Sequence, residues 1–256
     1  MTDSIYSDLN GKNVLVTGAA SGIGAAVSTA FAKQGSHVIS LDLKKHPMSH
    51  LSTDVSTDKG CIYSYIVDLT NTATLIKSLA EIRSIYNTID VIVANAGYDP
   101  RHIRLDISES EWNSLFQLNV THYFIICREL LPVMVKNGGG SVILTSSHTA
   151  WIAKPNLIAY NTTKAAIVGL IRSLAEAYGK YYIRVNGVAP GWTMTERQLQ
   201  QWVTDDALYD TINNQQAIPN VITPDQIADI YLFLASDASR AITRQVIIAD
   251  AGQTKI

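Results

Sequence analysis

Hydrophobic residues fall along this chain in short, nearly unbroken runs: Asn13 to Thr17, His37 to Leu41, Cys61 to Val67, Ile89 to Ala94, Ser141 to Thr145, Ile183 to Asn186 and Gln245 to Ala249. Their Val and Ile content predicts seven strands, and the lack of strict polar alternation in most of them marks strands buried on both faces of a parallel sheet. Between them the apolar positions recur at helical spacing over Gly22 to Gln34, Asn71 to Tyr86, Ser108 to Lys136, Leu157 to Tyr178 and Thr223 to Ser236. Two helix starts carry their own signal: Ser108 to Glu111 reads as a capping box, and Thr223 precedes Pro224 at a first helical position. Gly138, Gly139 and Gly140 stop one helix before the next strand. Strand and helix alternating throughout predict an α/β fold with a doubly wound, seven-stranded parallel sheet. Trp192 to Pro219 breaks the alternation; polar, aromatic and long for a connection, it reads as a lid.

Composition narrows the function classes. A chain of 256 residues without a Pro-, Gly- or Ser-rich linker predicts one domain over residues 1–256. Twenty basic against 22 acidic residues leave a formal charge of -2, so nothing would hold a nucleic acid by phosphate neutralisation. Cys61 and Cys127 stand 66 positions apart without a C-x-x-C pair or a nearby His cluster, which predicts buried thiols and no metal site. The stretch Met1 to Lys12 lacks the basic-then-apolar order of a secretion signal. The longest apolar run, Tyr123 to Val135, is interrupted by Arg128, Glu129 and Pro132 and is too short for a membrane span. A soluble, cytoplasmic protein is expected.

The first predicted strand runs into Thr17-Gly-Ala-Ala-Ser-Gly-Ile-Gly24 and then a helix, and Asp42 closes the second strand. Glycines at 18, 22 and 24 let the backbone turn and approach a pyrophosphate, which would sit on the helix N-terminus where free N–H groups attract anions. A carboxylate about 20 residues on can accept hydrogen bonds from ribose hydroxyls. Together these predict a Rossmann-type dinucleotide site.

The spacing G-x-x-x-G-x-G resembles the short-chain dehydrogenase/reductase family, and the resemblance covers essentially the whole chain. Asn95-Ala-Gly97 is similar to the family's N-A-G, Asp68 to its adenine-contacting acid, Asn119 to its active-site asparagine, and Pro190-Gly191 with Thr195 to its P-G-x-x-x-T. Ser147, Tyr160 and Lys164 resemble its catalytic Ser, Tyr and Y-x-x-x-K lysine, with 13 positions from Ser147 to Tyr160. The resemblance implies a cofactor site of Gly18, Ser21, Gly22, Ile23, Gly24, Asp42, Asp68, Leu69, Asn95, Ala96, Gly97, Tyr160, Lys164, Pro190, Gly191, Thr193 and Thr195, and a catalytic set of Asn119, Ser147, Tyr160 and Lys164. The residues support this on their own terms. Tyr160 and Lys164 lie one helical turn apart, where an ammonium would lower the phenol pKa from its usual value of about 10. Ser147 at a strand end can donate to an oxygen as it gains charge. Asp42 would repel a 2′-phosphate, and Ser21 stands where phosphate-binding relatives often carry a basic residue; both point to NAD, with Lys44 and Lys45 as nearby solvated charges.

For the substrate, the loop Tyr98-Asp-Pro-Arg-His102 and the segment Thr195-Glu-Arg-Gln198 with Trp202 resemble those of short-chain aldose dehydrogenases of the xylose type. That likeness implies Arg101, His102, Ser147, Trp151, Trp192 and Arg197 as substrate residues: rings to pack on sugar faces and polar groups to discriminate hydroxyls. The expected reaction is proton removal by Tyr160 and hydride loss from the same carbon, with Asn119 holding a relay water. A 3-oxoacyl-thioester or other ketone reductase would use the same four residues, but needs a basic docking patch for which Arg128 and Arg172 are the scattered candidates; a cofactor-binding regulator would have no use for a tuned phenol. Near the last strand, Arg244 and Ala251 replace glycines that relatives carry, and relatives pack this region into a homotetramer or homodimer.

Overall fold

The computed structural model describes residues 5–48, 60–102 and 105–255. Seven strands form one sheet: β1 (Asn13–Thr17), β2 (His37–Asp42), β3 (Cys61–Ile66), β4 (Val91–Ala94), β5 (Gly140–Thr145), β6 (Ile183–Pro190) and β7 (Val246–Ala249). Their order is β3-β2-β1-β4-β5-β6-β7 and every neighbouring pair is parallel. β1 therefore has β2 on one side and β4 on the other, and the chain winds outward in both directions from that point. In open α/β sheets the crevice at such a reversal, at the strands' C-terminal ends, is where ligands bind.

The central strands β1, β4, β5 and β6 are buried on both faces, as the unbroken apolar runs predict, whereas the edge strands β3 and β7 are only partly covered: Ile66 is exposed and no residue of β7 is fully buried. In β1, Leu15 joins a core with Leu75, Leu79 and Ile82 of α2 (Thr72–Ile85), Ile126 and Leu130 of α4 (His122–Lys136), and Ile167 and Ile171 of α5 (Ile158–Tyr178). Val14 and Val16 face the other way, against Val27 and Phe31 of α1 (Gly22–Lys33) and Ile227, Tyr231 and Leu234 of α8 (Pro224–Ala235). The apolar run Tyr123 to Val135 is explained by this packing, since Tyr123, Ile125, Ile126, Leu130, Leu131 and Met134 are all buried in the first core.

Four differences from the sequence reading have local causes. The helix expected over Ser108 to Lys136 is divided by a π-helical turn, Gln117–Thr121, into α3 (Glu109–Phe116) and α4; Asn119 sits in that turn. β6 runs on to Pro190 through Gly187, which looks like a strand breaker in sequence. A Cβ there would come within 2.5 Å of Ile171 Cδ1, so glycine is what lets β6 pass close beneath α5. Two short helices stand within the 192–219 segment, α6 (Glu196–Gln201) and α7 (Asp205–Asp210), each N-capped by a threonine side chain, Thr195 and Thr204. Cys61 is only partly buried, while Cys127 is buried as expected.

Candidate active site

A cleft of about 950 Å³ opens at the C-terminal ends of the strands. Its walls are the segments that leave the strands: Gly18 after β1, Asp42 ending β2, Val67 to Thr70 after β3, Asn95 to Asp99 after β4, Thr145 to Thr149 from β5, and Pro190 to Thr193 from β6, with α6 and α7 across the mouth.

One end is made of backbone. Gly18 and Gly22 have φ of 63° and 54°, and a Cβ on Gly24 would sit 2.0 Å from the Gly18 carbonyl oxygen; these turns admit glycine and little else. Asn95 ties β4 to β1, its backbone N–H donating to Thr17 Oγ1 at 3.0 Å and its side-chain amide to the Thr17 carbonyl at 3.3 Å. Side chains cap α2, α3, α6, α7 and α8, and His102 Nε2 accepts from Ala159 N–H at the start of α5. Ser21, at the start of α1, makes no such bond. The first-turn N–H groups of Gly22, Ile23 and Gly24 have no acceptor among the described residues. Gly22 and Ile23 line the cleft, so it has at its wall a helix start that an anion would complete. Asp42 stands opposite, its carboxylate accepting from the N–H groups of Ala20 and Lys44 at 3.0 Å each. Asp68 is exposed, and the Thr70 hydroxyl and N–H hold its carboxyl below the usual range. Leu69 is buried beside it.

At the centre are the four residues of the family pattern. Ser147, 6% exposed, follows β5; its hydroxyl accepts from Thr149 and lies within hydrogen-bonding reach of the Tyr160 phenol. Lys164, 2% exposed, donates from Nζ to the Thr145 carbonyl at 2.9 Å and lies 5.6 Å from the centre of the Tyr160 ring. Gly97 makes room for it, because a Cβ there would come within 3.2 Å of that ammonium. Burial lowers the Lys164 pKa to about 8. The lowering of the Tyr160 pKa expected from the nearby ammonium is not found. Burial raises it, the Asp99 carboxylate raises it further, and the Ser147 hydroxyl and Arg197 offset only part of this. Burial of the phenol is the larger effect, and the Lys164 ammonium is itself engaged by the Thr145 carbonyl. Asn119 is buried, and its amide is taken up by protein: Oδ1 accepts from Tyr98 N–H at 2.9 Å, and Nδ2 donates to the Tyr98 carbonyl at 2.9 Å and Thr163 Oγ1 at 3.2 Å. This side chain pins the loop after β4 to α5, so a water held here would need a group other than the amide.

The other end is made of side chains. Arg197 Nη2 lies 2.7 Å from Asp99 Oδ1, Gln198 Nε2 donates to Asp99 Oδ2 at 3.1 Å, and Trp192 Nε1 donates to Gln198 Oε1 at 2.9 Å. The Arg101 guanidinium lies 4.0 Å from the centre of the Trp202 ring. The loop after β4 and α6 are thus latched together across the cleft. Of the six residues expected to meet substrate, Arg101, Ser147, Trp192 and Arg197 line the cleft; His102 and Trp151 do not. His102 is used instead to cap α5, the helix that carries Tyr160 and Lys164, and Trp151 ends the 3₁₀ turn His148–Ala150 behind the wall. Asp99, Lys154 and Gln198 also line the cleft; Asp99 and Gln198 lie in the two segments that resemble the aldose dehydrogenases, and Lys154 lies between Ser147 and Tyr160. A buried pair, His148 and Asp250 with Nδ1 and Oδ2 3.6 Å apart, backs the cleft; burial first, and then the Lys154 charge, brings the His148 pKa down to about 4 against the pull of Asp250. Nothing in the sequence pairs them.

This arrangement, a dinucleotide crevice leading to a Ser, Tyr, Lys and Asn cluster, defines a nicotinamide-dependent oxidoreductase. A family model described as enoyl-(acyl carrier protein) reductase matches residues 18–254. The chain is 35% identical over 253 residues to a probable galactose dehydrogenase of Rhizobium meliloti, covering 98% of each, and 34% identical over 252 residues to the D-xylose 1-dehydrogenase of Caulobacter vibrioides, covering 98% of this chain and 99% of the relative. The ligand-free aldohexose dehydrogenase of Thermoplasma acidophilum has the same fold, with a TM-score of 0.86 and 27% identity over 97% of this chain and 96% of that one. The protein belongs to the short-chain dehydrogenase/reductase family and, like these sugar dehydrogenases, is an oxidoreductase of CH–OH groups.

Proposed function

We propose that this protein is a cytoplasmic, NAD-linked sugar or polyol dehydrogenase, in which Tyr160 is the base, Ser147 positions the reacting oxygen and Lys164 supplies the positive charge. The observation that carries the reading is the make-up of the cleft: the Tyr160 phenol stands between an uncapped helix start and a wall of hydrogen-bonding side chains, Asp99, Arg197, Gln198 and Trp192. Such a wall offers donors and acceptors to hydroxyl groups and no matching surface to an apolar ligand.

The crevice fits a dinucleotide on its own evidence, since the Gly22 and Ile23 N–H groups have no acceptor among the described residues and both residues line the cleft. These N–H groups would hold the pyrophosphate, Asp42 the adenosine ribose, Asp68 and Leu69 the adenine side, and Lys164 and Tyr160 the nicotinamide ribose, with Thr193 and Thr195 near its carboxamide. When bound, NAD supplies the hydride acceptor. Asp42 favours NAD because a 2′-phosphate beside it would set two anions together in a partly dry site. Tyr160 Oη, once deprotonated, takes the hydroxyl proton of the substrate, and Ser147 Oγ donates to the same oxygen as the carbonyl forms. Asn119 keeps the Tyr98 backbone in place behind the reacting carbon. Residues 192–219 act as the lid, closed by the Asp99 latch. A carrier-protein reductase is not favoured: Arg128 is already matched by Glu129, with Nη2 2.8 Å from Oε1. Assembly as a homotetramer or homodimer is part of the same proposal.

The test is NADH formation with NAD⁺ and NADP⁺ in turn against aldoses, polyols and simple secondary alcohols. Turnover of sugars or polyols with NAD⁺ preferred at least tenfold is expected, and Asp42→Ala should erase most of that preference. Reaction with simple alcohols alone would remove the sugar reading, and equal use of both cofactors would remove the role given to Asp42.

A further inference from the structure

Three cations line the cleft beyond Ser147 and Tyr160: Arg101, Lys154 and Arg197. Arg197 is matched by Asp99. Arg101 rests on Trp202 and has no carboxylate at ion-pair distance among the described residues. Lys154 is the least expected of the three. It is partly buried, yet its ammonium has neither a hydrogen bond nor an ion pair among the described residues. The charged group acting on it is Arg101, of like sign, and together with burial this holds its pKa below the ordinary lysine range. It also acts unfavourably on the His148 ring, which burial keeps neutral. The acids at this end of the cleft do not answer this charge. Asp99 is taken by Arg197 and Gln198, while Asp210 and Glu196 are exposed and accept from Asn214, Gln215 and Gln200. A half-dry ammonium without a partner of its own, in the field of an exposed guanidinium that rests on Trp202 and is only partly answered by Asp99, is a costly arrangement for the protein alone and a suitable one for an incoming anion.

We propose that the substrate is a sugar acid, a polyhydroxylated chain whose carboxylate sits between Lys154 and Arg101 while a carbinol carbon faces Tyr160. The proposal rests on the sugar dehydrogenase reading above and narrows it from sugars in general to anionic ones. Arg101 presents a planar fork and Lys154 a point charge, which together suit a carboxylate better than a neutral hydroxymethyl end. A sugar phosphate offers related oxyanion chemistry and is a separate arm of the test.

The experiment measures kcat/KM with NAD⁺ for matched sets: galactose, galacturonate and galactose 6-phosphate, then glucose, gluconate, glucuronate and glucose 6-phosphate. A sugar acid is expected to exceed its neutral counterpart by about tenfold or more, with the advantage shrinking as salt is added. Lys154→Gln should lower kcat/KM for the acid far more than for the neutral sugar, and Lys154→Arg, which keeps the charge, should retain the preference. A second readout is quenching of Trp192 and Trp202 fluorescence by the sugar acid in the NAD⁺-loaded protein, weakened in Lys154→Gln. Neutral sugars turned over as well as the acids, or an acid preference unmoved in Lys154→Gln, would overturn the proposal while leaving the sugar reading intact. Preference for the phosphates would overturn the carboxylate assignment. Silence toward every sugar, with simple alcohols reacting, would bring down both readings.

Discussion

At one end of the cleft the available polar groups are backbone N–H groups of a helix start, held by glycine turns; at the other they are side chains that meet across 99 positions of sequence, Asp99 with Gln198. The first end holds its ligand through backbone geometry, with the Asp42 carboxylate fixed by the Ala20 and Lys44 N–H groups. The second exists only while Arg197, Gln198 and Trp192 hold one another in place. A site of the first kind is suited to a ligand that never changes, and one of the second kind can be respecified by single substitutions without touching the fold.

If the two ends are separable, the largest effect should come where they meet. Tyr160→Phe is expected to lower turnover by about 10²- to 10⁴-fold, the range for loss of a general base, with NADH affinity, measured by fluorescence titration, nearly unchanged. Because burial holds the phenol pKa up and only the deprotonated form accepts a proton, sugar oxidation should climb as pH rises into the alkaline range, and carbonyl reduction should fall. A flat alkaline profile would remove Tyr160 from proton transfer. A smaller effect is expected from Gln198→Ala, which deletes the bonds to Asp99 and Trp192. At about 0.5–1.5 kcal/mol per hydrogen bond, the sugar KM should rise several-fold to about tenfold with cofactor affinity preserved; an equal loss of cofactor affinity would show that the ends are one unit.

The smallest effect concerns neither end directly. Arg244 and Ala251, which stand where relatives carry glycine, have φ of 66° and 55°. The sequence departure therefore coincides with left-handed backbone that a side chain makes costly. The ion pair Arg244 makes with Glu176 is solvent-exposed and worth little. Arg244→Gly and Ala251→Gly should each raise stability by about 0.5–1 kcal/mol, or Tm by about 2 °C. Turnover is expected to hold for Arg244→Gly, whereas Ala251, whose carbonyl accepts from Ala217 and Ile218 at the end of the lid segment, provides a check on how far the lid depends on that turn.

The backbone end was readable from sequence because glycine spacing and the strand, turn and helix order are local signals. The strands and the α/β class were legible for the same reason, whereas Ser147, Tyr160 and Lys164 stood out through a family resemblance, and only the fold brings them to one cleft. The helices α6 and α7 were not: each is six residues long and carries no apolar stripe, so periodicity has nothing to register. His102 looked like a ligand residue because its loop says nothing about which helix it will cap. Lys154 and the His148–Asp250 pair were invisible, since their environment is set by segments far apart in the chain. The Tyr160 pKa went the other way because burial outweighed the neighbouring ammonium.

The strand order has a kinetic side. With every pairing parallel, no pair of neighbouring strands can close as a hairpin, and β1 finds β4 only after the chain from Thr17 to Val91 has been gathered in. Such non-local sheets assemble slowly. The crevice does not exist before that docking, so a dinucleotide recognises only the assembled sheet and, at a hundred times its Kd, deepens the native basin by about 2.7 kcal/mol. For this chain the cofactor would be a thermodynamic clamp on folding before it is ever a reactant.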